Sequence, residues 1–495
     1  MSRVTSFLEE SSSWISELEL NMVPNSALLA AKVLVVDTLA AAFSSLNTTP
    51  GRRICRGLQS SVTVPELFSI ESVLLDHDST LLYYGHLGHG VVAATLAGGH
   101  KSIDGARLVE SILAGVEVGA RLAASLSLSR TRGQMLSVAH SVAAAAGLGK
   151  LLDLDSGTLF NALALSLTYI IKPTRAGFTT PGKVLAAANP LSHGIRAFKL
   201  AVAGERGNSR VFDSLLEEWS GIVLRAPLSG FGSRWHIETI SVKPWPACSY
   251  AQTAIDAALK LSEALDVGSV REIIVEENAL TYYMDKTFEP SVNGPKTSFT
   301  TLQFYTPYII AYTLLNRGFS RTAYEPRSIS DKHVWRLAGI VRRVHNPDLT
   351  ARILKEPLPF GVAIWEMGSL KTLFLLAKLL GAGSLGVVLK HSGILRGSPL
   401  DSVDFNSARK IMPVSIIVKT DNGSFEAGSE IVKGFHGTGI EAKLEVAVGK
   451  LMEAASTIVN RDELDMVKDV LLRVERAGVD EVNIVSSVIS KALRC

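Results

Sequence analysis

Glutamine and cysteine are what this chain of 495 residues has least of: four glutamines (59, 134, 252 and 303) and three cysteines, with no CxxC pair. Cys55, Cys248 and Cys495 stand far apart and have no histidine at ligand spacing. Neither a disulfide framework nor a structural zinc site is therefore expected, and a reducing, cytoplasmic setting is. Scarce glutamine also fits a heat-adapted composition. An excess of one charge is missing too. Fifty basic residues face 47 acidic ones, a net charge of +3 with no run of one sign, which gives no reason to expect nucleic acid or a membrane surface as partner. The longest uncharged stretches, Gly133–Gly149 and Ser156–Ile171, are too short to span a bilayer and rich in small residues, so they are expected to be buried helices. Residues 1–20 carry Glu9, Glu10, Glu17 and Glu19, which suits neither a secretion signal nor a transit peptide.

What the chain does have is apolar helix after apolar helix. Its length is too great for one ordinary core, so two domains are the default. Pro24–Ser45 sets Leu28, Ala31, Val35, Leu39 and Ala42 near one face, with Pro24 suited to a helix start. Ser102–Leu126 offers Asp104 as N-cap and then Leu108, Ile112, Val116, Ala120 and Ala123 at three-to-four spacing. The segments 137–152, 156–170 and 186–203 are similarly apolar, and helices apolar all round must be wrapped by others, so the first 235 residues predict a bundle. Near Trp235 the period changes to that of strands, at Ile237–Ser241, Val270–Glu277 and Pro413–Lys419, the last running into an Asn422-Gly423 turn. Helices at Tyr250–Leu265 and Thr306–Leu315 lie between these strands, and from Thr438 the helical period returns. The predicted fold is mainly α: a large all-helical bundle from both chain ends (1–240 and 438–495), with an α+β lid domain inserted at 241–437.

Three short strings bear chemistry. In His86-Leu87-Gly88-His89, two histidines at i, i+3 can act as acid/base groups; no carboxylate or third histidine at a recognised spacing accompanies them, so no metal is expected. Lys183, in Thr179-Thr180-Pro181-Gly182-Lys183, enters a tight apolar helix, where an amine either holds a carboxylate, works with a lowered pKa, or merely snorkels to the surface. The pair Gly182-Lys183 lacks the rest of a phosphate-binding loop. Lys243-Pro244-Trp245-Pro246-Ala247-Cys248 is rigid, and its prolines hold Cys248 in one place.

Taken together, Val36–Ala40, Glu110–Ala124, Lys150–Asp155, Lys183–Ala201, Trp235–Ala257 and Tyr305–Tyr308 resemble, in order and spacing, the MmgE/PrpD family, which includes 2-methylcitrate dehydratase, cis-aconitate decarboxylase and iminodisuccinate epimerase. The resemblance implies a helical domain with an α+β lid, a homodimer, a site in the cleft between them and no cofactor. It implies proton transfer at a carbon beside a carboxylate of a small polycarboxylic acid. By the same resemblance Lys183, Tyr308 and either His86 or His89 are the expected catalytic groups, with Cys248, Gln134, Lys243 and Arg175 contacting substrate. The chain also departs from the pattern. The acidic H-A-x-D-F-D-D-T segment is expected at Thr80–Gly85, which has no acid, and Gln134 or Met135 stands where the G-F-H histidine belongs, with His140 a nearby substitute. Gln252 replaces a further histidine, and 355–408 reads as an insertion in the lid. The expected activity is a lyase, most simply a hydro-lyase of the 2-methylcitrate dehydratase kind. The alternatives are a decarboxylase or epimerase of that family, or a catalytically weakened homologue that binds an anionic metabolite or a protein.

Overall fold

The structure, a computed structural model, describes residues 5–82, 85–129, 138–169, 174, 176–218, 223–380, 386–387, 390–391 and 396–495. Its first half is helical: α1 (Thr5–Glu17), α2 (Asn25–Leu46), α3 (Thr49–Leu58), α4 (Val64–Leu74), α5 (Gly88–Thr95), α6 (Gly105–Ser125), α7 (Val138–Leu151), α8 (Ser156–Ser166) and α9 (Leu185–Val202). Local chemistry sets their ends. Pro24 is the residue before α2, and Asp104 caps α6 by accepting from Arg107 N at 2.9 Å. At α4 Thr63 and Glu66 form a reciprocal capping box, with Pro65 in the first turn.

The helix α2 is buried nearly all round, and its other wall is a helix from the far end of the chain, Ile440–Ala455. Lys450 on that helix meets Asp37 on α2 at 2.5 Å. It is also the one helix among the described residues long and apolar enough to cross a membrane, yet 83% of its most apolar stretch lies inside the protein. A core helix satisfies the same composition test as a membrane span.

Beyond residue 240 a four-stranded mixed sheet appears: β3 (Val270–Glu277), β4 (Val341–His345), β5 (Val414–Thr420) and β6 (Gly423–Ser429), in the order β4-β3-β5-β6. Strands β3 and β4 run parallel and are joined by helices, whereas β5 and β6 form the hairpin at Asn422-Gly423. The sheet and the helices Gln252–Ser262 and Thr306–Asn316 enclose a second apolar core, which includes Ile255, Ile273, Val275, Ile310, Ile416 and Val418. The expected strand at Ile237–Ser241 is shorter. His236–Thr239 is a 3-10 turn, and β2 (Ile240–Ser241) pairs antiparallel with β1 (Thr80–Leu81). The segment read as a lid insertion leans the other way, since Leu358, Phe360, Val362, Leu400 and Phe405 join the core formed around α2 and α6.

The cysteine expectation needs correction. Cys55 and Cys495 form a disulfide with Cα atoms 6.0 Å apart, tying α3 to the last residue of the chain. The two are 440 positions apart, so spacing along the chain said nothing about spacing in the fold, and the inference of a reducing setting loses its basis.

Candidate active site

The turn after α4 builds one wall of the site. Asp76 adopts a left-handed conformation (φ 54°), a region that Asp tolerates better than most residues and that often marks functional positions. From there the chain runs through His77, Asp78 and Ser79 into β1. Asp76 and Asp78 take one side, while His77 on the other contacts Ser44 Oγ and Pro244 O, each at 3.3 Å. The β1–β2 pairing sets Thr80 opposite Ser241. Lys243 follows β2 by two residues as Asp78 precedes β1 by two, and the Lys243 amine lies 2.6 Å from Asp76 Oδ1 and 3.6 Å from Asp78 Oδ1.

Lys243 is fully buried. Burial alone would lower its pKa, but Asp76 and Asp78 more than offset this and raise it, so it stays a cation. Burial likewise works to raise Asp78, but His86 and Lys243 outweigh it and hold the carboxyl well below its usual range. The other oxygen of Asp78 serves two imidazoles, His86 Nδ1 at 3.0 Å and His89 Nδ1 at 3.1 Å. An acceptor at Nδ1 favours the tautomer with its proton there and its lone pair on Nε2. Burial outweighs Asp78 and lowers the pKa of His86, so the ring is neutral near pH 7. His89 is deeper and packs against His140 with the rings tilted by 44° and their centres 4.3 Å apart; neither nitrogen of His140 has a hydrogen-bond partner among the described residues.

Asp76, Asp78 and His86 present donor atoms within 4.8 Å of one another, a spacing suited to a cation. Here the Lys243 ammonium already supplies the positive charge between the two carboxylates.

Lys183 arrives from another element, a 3-10 turn at Pro181–Val184 capped by Thr180, and is 2% exposed. Its amine donates to Gln303 Oε1, and Gln303 Nε2 in turn donates to Leu74 O at 2.8 Å, two residues ahead of Asp76. Burial lowers the Lys183 pKa to about 8, against the pull of Asp76. Cys248 packs with Phe178, Ala186, Phe288 and Phe304, and burial pushes its thiol up to about 12. Gln252, in a histidine's place, braces the proline-rich segment by donating to Trp245 O at 2.9 Å and Ala247 O at 3.0 Å.

The fold thus gathers Lys183, Lys243, His86, His89 and Cys248. It does not bring Tyr308 to them: that hydroxyl donates to Ala323 O at 2.5 Å inside the second core, and the ring is fully buried. Helix Thr306–Asn316 points this face at its neighbours in the lid, and burial raises the phenol pKa. Gln134 and Arg175, with Met135, lie outside the described residues. The acids expected at Thr80–Gly85 are found five residues earlier. Leu75-Asp76-His77-Asp78-Ser79-Thr80 carries the D-x-D-x-T order of the family segment, with His and Ser at the intervening positions. Asp76, Asp78 and Gln303 were the residues that sequence reading missed, and the D-x-D-x-T string was the signal for the first two.

Residues 70–221 match the MmgE/PrpD N-terminal domain and residues 245–368 the MmgE/PrpD C-terminal domain, together more than half of the chain. The cluster joins both parts, with Asp76, His86 and Lys183 from the first and Cys248 and Gln303 from the second. The chain belongs to the MmgE/PrpD family, a family of lyase and dehydratase type.

Proposed function

We propose that this protein is a lyase for a small polycarboxylic acid, acting without a cofactor by removing the proton on a carbon beside a carboxylate, and most simply a hydro-lyase of the 2-methylcitrate dehydratase kind. The observation that carries this reading is the His86 imidazole, oriented by Asp78 at 3.0 Å, in one buried cluster with the amines of Lys183 and Lys243. Proton removal there pushes negative charge onto the neighbouring carboxylate, and buried ammonium groups aimed at that charge lower the barrier. Lys183 is the proposed carboxylate contact and His86 the base, with Nε2 taking the proton. In a dehydration the C–O bond then breaks, the imidazolium returns its proton to the departing hydroxyl, and water and a conjugated double bond result. Lys243 keeps Asp76 and Asp78 ionised, His89 shares the orienting carboxylate, and Cys248 lines the wall as a neutral thiol. A homodimer belongs to the same proposal and is testable by sedimentation.

A binding-only homologue is favoured by the lost histidines, with Gln134 or Met135 at one position of the family pattern and Gln252 at another. Asp76 and Asp78 weigh against it. The test is to incubate the protein with citrate, 2-methylcitrate, cis-aconitate and iminodisuccinate in deuterated water. We expect deuterium at the carbon beside a carboxylate, or loss of water, for at least one acid. No exchange with any of them, or equal exchange by Lys183→Ala, would overturn the reading.

A further inference from the structure

The amine of Lys410 ends in the same cluster and is used by nothing described so far. Its backbone is fixed by donation from Lys410 N to His436 O at 2.9 Å, and the side chain is 1% exposed. It donates to Thr80 Oγ1, two residues beyond Asp78 on the same extended segment, and sits 5.0 Å from the centre of the Phe435 ring. Both partners are neutral. Two other buried amines, Lys243 and Lys450, are treated differently, with Asp76 at 2.6 Å and Asp37 at 2.5 Å. Lys183 shares the arrangement of Lys410, with the Gln303 amide oxygen as its acceptor and the Phe304 ring 5.2 Å away; the buried Lys443 amine, outside this cluster, ends instead on His436 Nδ1 at 3.0 Å and Glu238 O at 3.4 Å. Neither Lys183 nor Lys410 has a carboxylate within ion-pair distance among the described residues.

A buried ammonium without a counter-ion is strongly disfavoured unless an anion arrives to complete it. Lys410 shows that stress: burial first, then Lys243, lower its pKa to about 7, while Cys248, Asp76 and Asp78 pull the other way. Two amines are therefore built alike, each held by a neutral oxygen and an aromatic face, with the Lys243 ammonium acting on both.

We infer that Lys410 is a second carboxylate anchor of this site, binding a carboxylate of the substrate other than the one held by Lys183 and so selecting acids that carry at least two. This rests on the reading that the ligand is a polycarboxylate. It adds a specificity-determining residue from the segment that follows the 355–408 insertion.

The test is calorimetric binding of citrate, 2-methylcitrate and cis-aconitate, and of the mono-amides of citrate, to wild type, Lys410→Met and Lys410→Arg, with deuterium exchange followed in parallel. Lys410→Met should bind the best acid about a hundredfold more weakly, the value of a charge-assisted hydrogen bond. It should also bind one mono-amide as well as the acid, while Lys410→Arg recovers part of the discrimination. Its thermal midpoint should be no lower than that of wild type. On the unmutated protein at pH 8, the acid should take up more protons than that mono-amide does. Binding by Lys410→Met within about threefold of wild type, equal losses for acid and amides, or equal proton uptake would overturn the inference. So would failure of wild type to bind any of these acids. Binding without exchange would sink the lyase reading alone and leave Lys410 to be judged by affinity.

Discussion

Two buried charge clusters in this molecule are built on opposite rules. In the bundle, Glu117 and Arg121 on α6 pair one to one and are fully buried; Glu117 also accepts from His236 N at 3.0 Å and Ile237 N at 2.9 Å. Arg121 donates to Gly230 O at 2.9 Å and Arg234 O at 2.8 Å and lies over the Phe231 ring. Charge is balanced, and the pair fastens α6 to the chain entering β2. At the candidate site, two carboxylates, Asp76 and Asp78, face three amines among the described residues, two of which end on neutral acceptors. The first arrangement serves the fold alone. The second costs stability and makes sense when something negative binds.

Mutations should therefore separate the two clusters. The largest effect expected is His86→Asn, a fall in kcat of about 10²–10⁴-fold at unchanged thermal midpoint, because a general base is lost and no apolar packing is. Arg121→Met should do the reverse, lowering unfolding stability in urea by about 3–5 kcal/mol since Glu117 stays buried without its partner, while the folded fraction keeps its turnover. Lys183→Met should slow exchange, by less than His86→Asn does, yet raise stability at pH 7. The sign follows from linkage. The folded-state pKa of about 8 lies below the ordinary lysine value, so the fold resists protonation at pH 7, and that deficit is recovered only as pH rises above about 8. Removing the amine should gain on the order of 2 kcal/mol, allowing for the lost bond to Gln303. Loss of stability in Lys183→Met would erase the contrast.

Smaller effects sharpen it. A profile of kcat/KM against pH should be bell-shaped. Its acid limb lies below pH 6.5, where His86, lowered by burial, becomes protonated, and its alkaline limb falls through about 7 to 8, where Lys410 and then Lys183 lose their charge. A profile flat from pH 6 to 9 would remove all three groups from the reaction. The smallest effect belongs to Cys248→Ser. Burial holds this thiol at about 12, so it is not a nucleophile near neutrality, and kcat should stay within about threefold.

Much of the fold was legible because it rests on local periodicity. Val270–Glu277 reads as a strand and is β3, Asp104 reads as a cap and is one, and Asn422-Gly423 reads as a hairpin turn and joins β5 to β6. The α2 boundaries lie within one residue of the expected helix. Less of the site was legible. Lys183, Lys243 and Cys248 stand in distinctive strings, whereas Asp76 and Asp78 occupy a turn whose left-handed residue breaks any period. Tyr308 sits in a string as recognisable as theirs, yet its helix turns it into the lid core.

The amino-acid order alone determined which segments are helix, strand or turn, and that one run of buried helices is interrupted by an α+β insertion, because those outcomes depend on neighbours a few residues apart. Only the tertiary structure decided that Thr80 and Lys410, 330 positions apart, share a hydrogen bond, and that Cys55 reaches Cys495 across 440. Which amines find a carboxylate and which find a neutral oxygen is a property of the packed interior, where charge is felt over a few ångströms and sequence distance has no bearing.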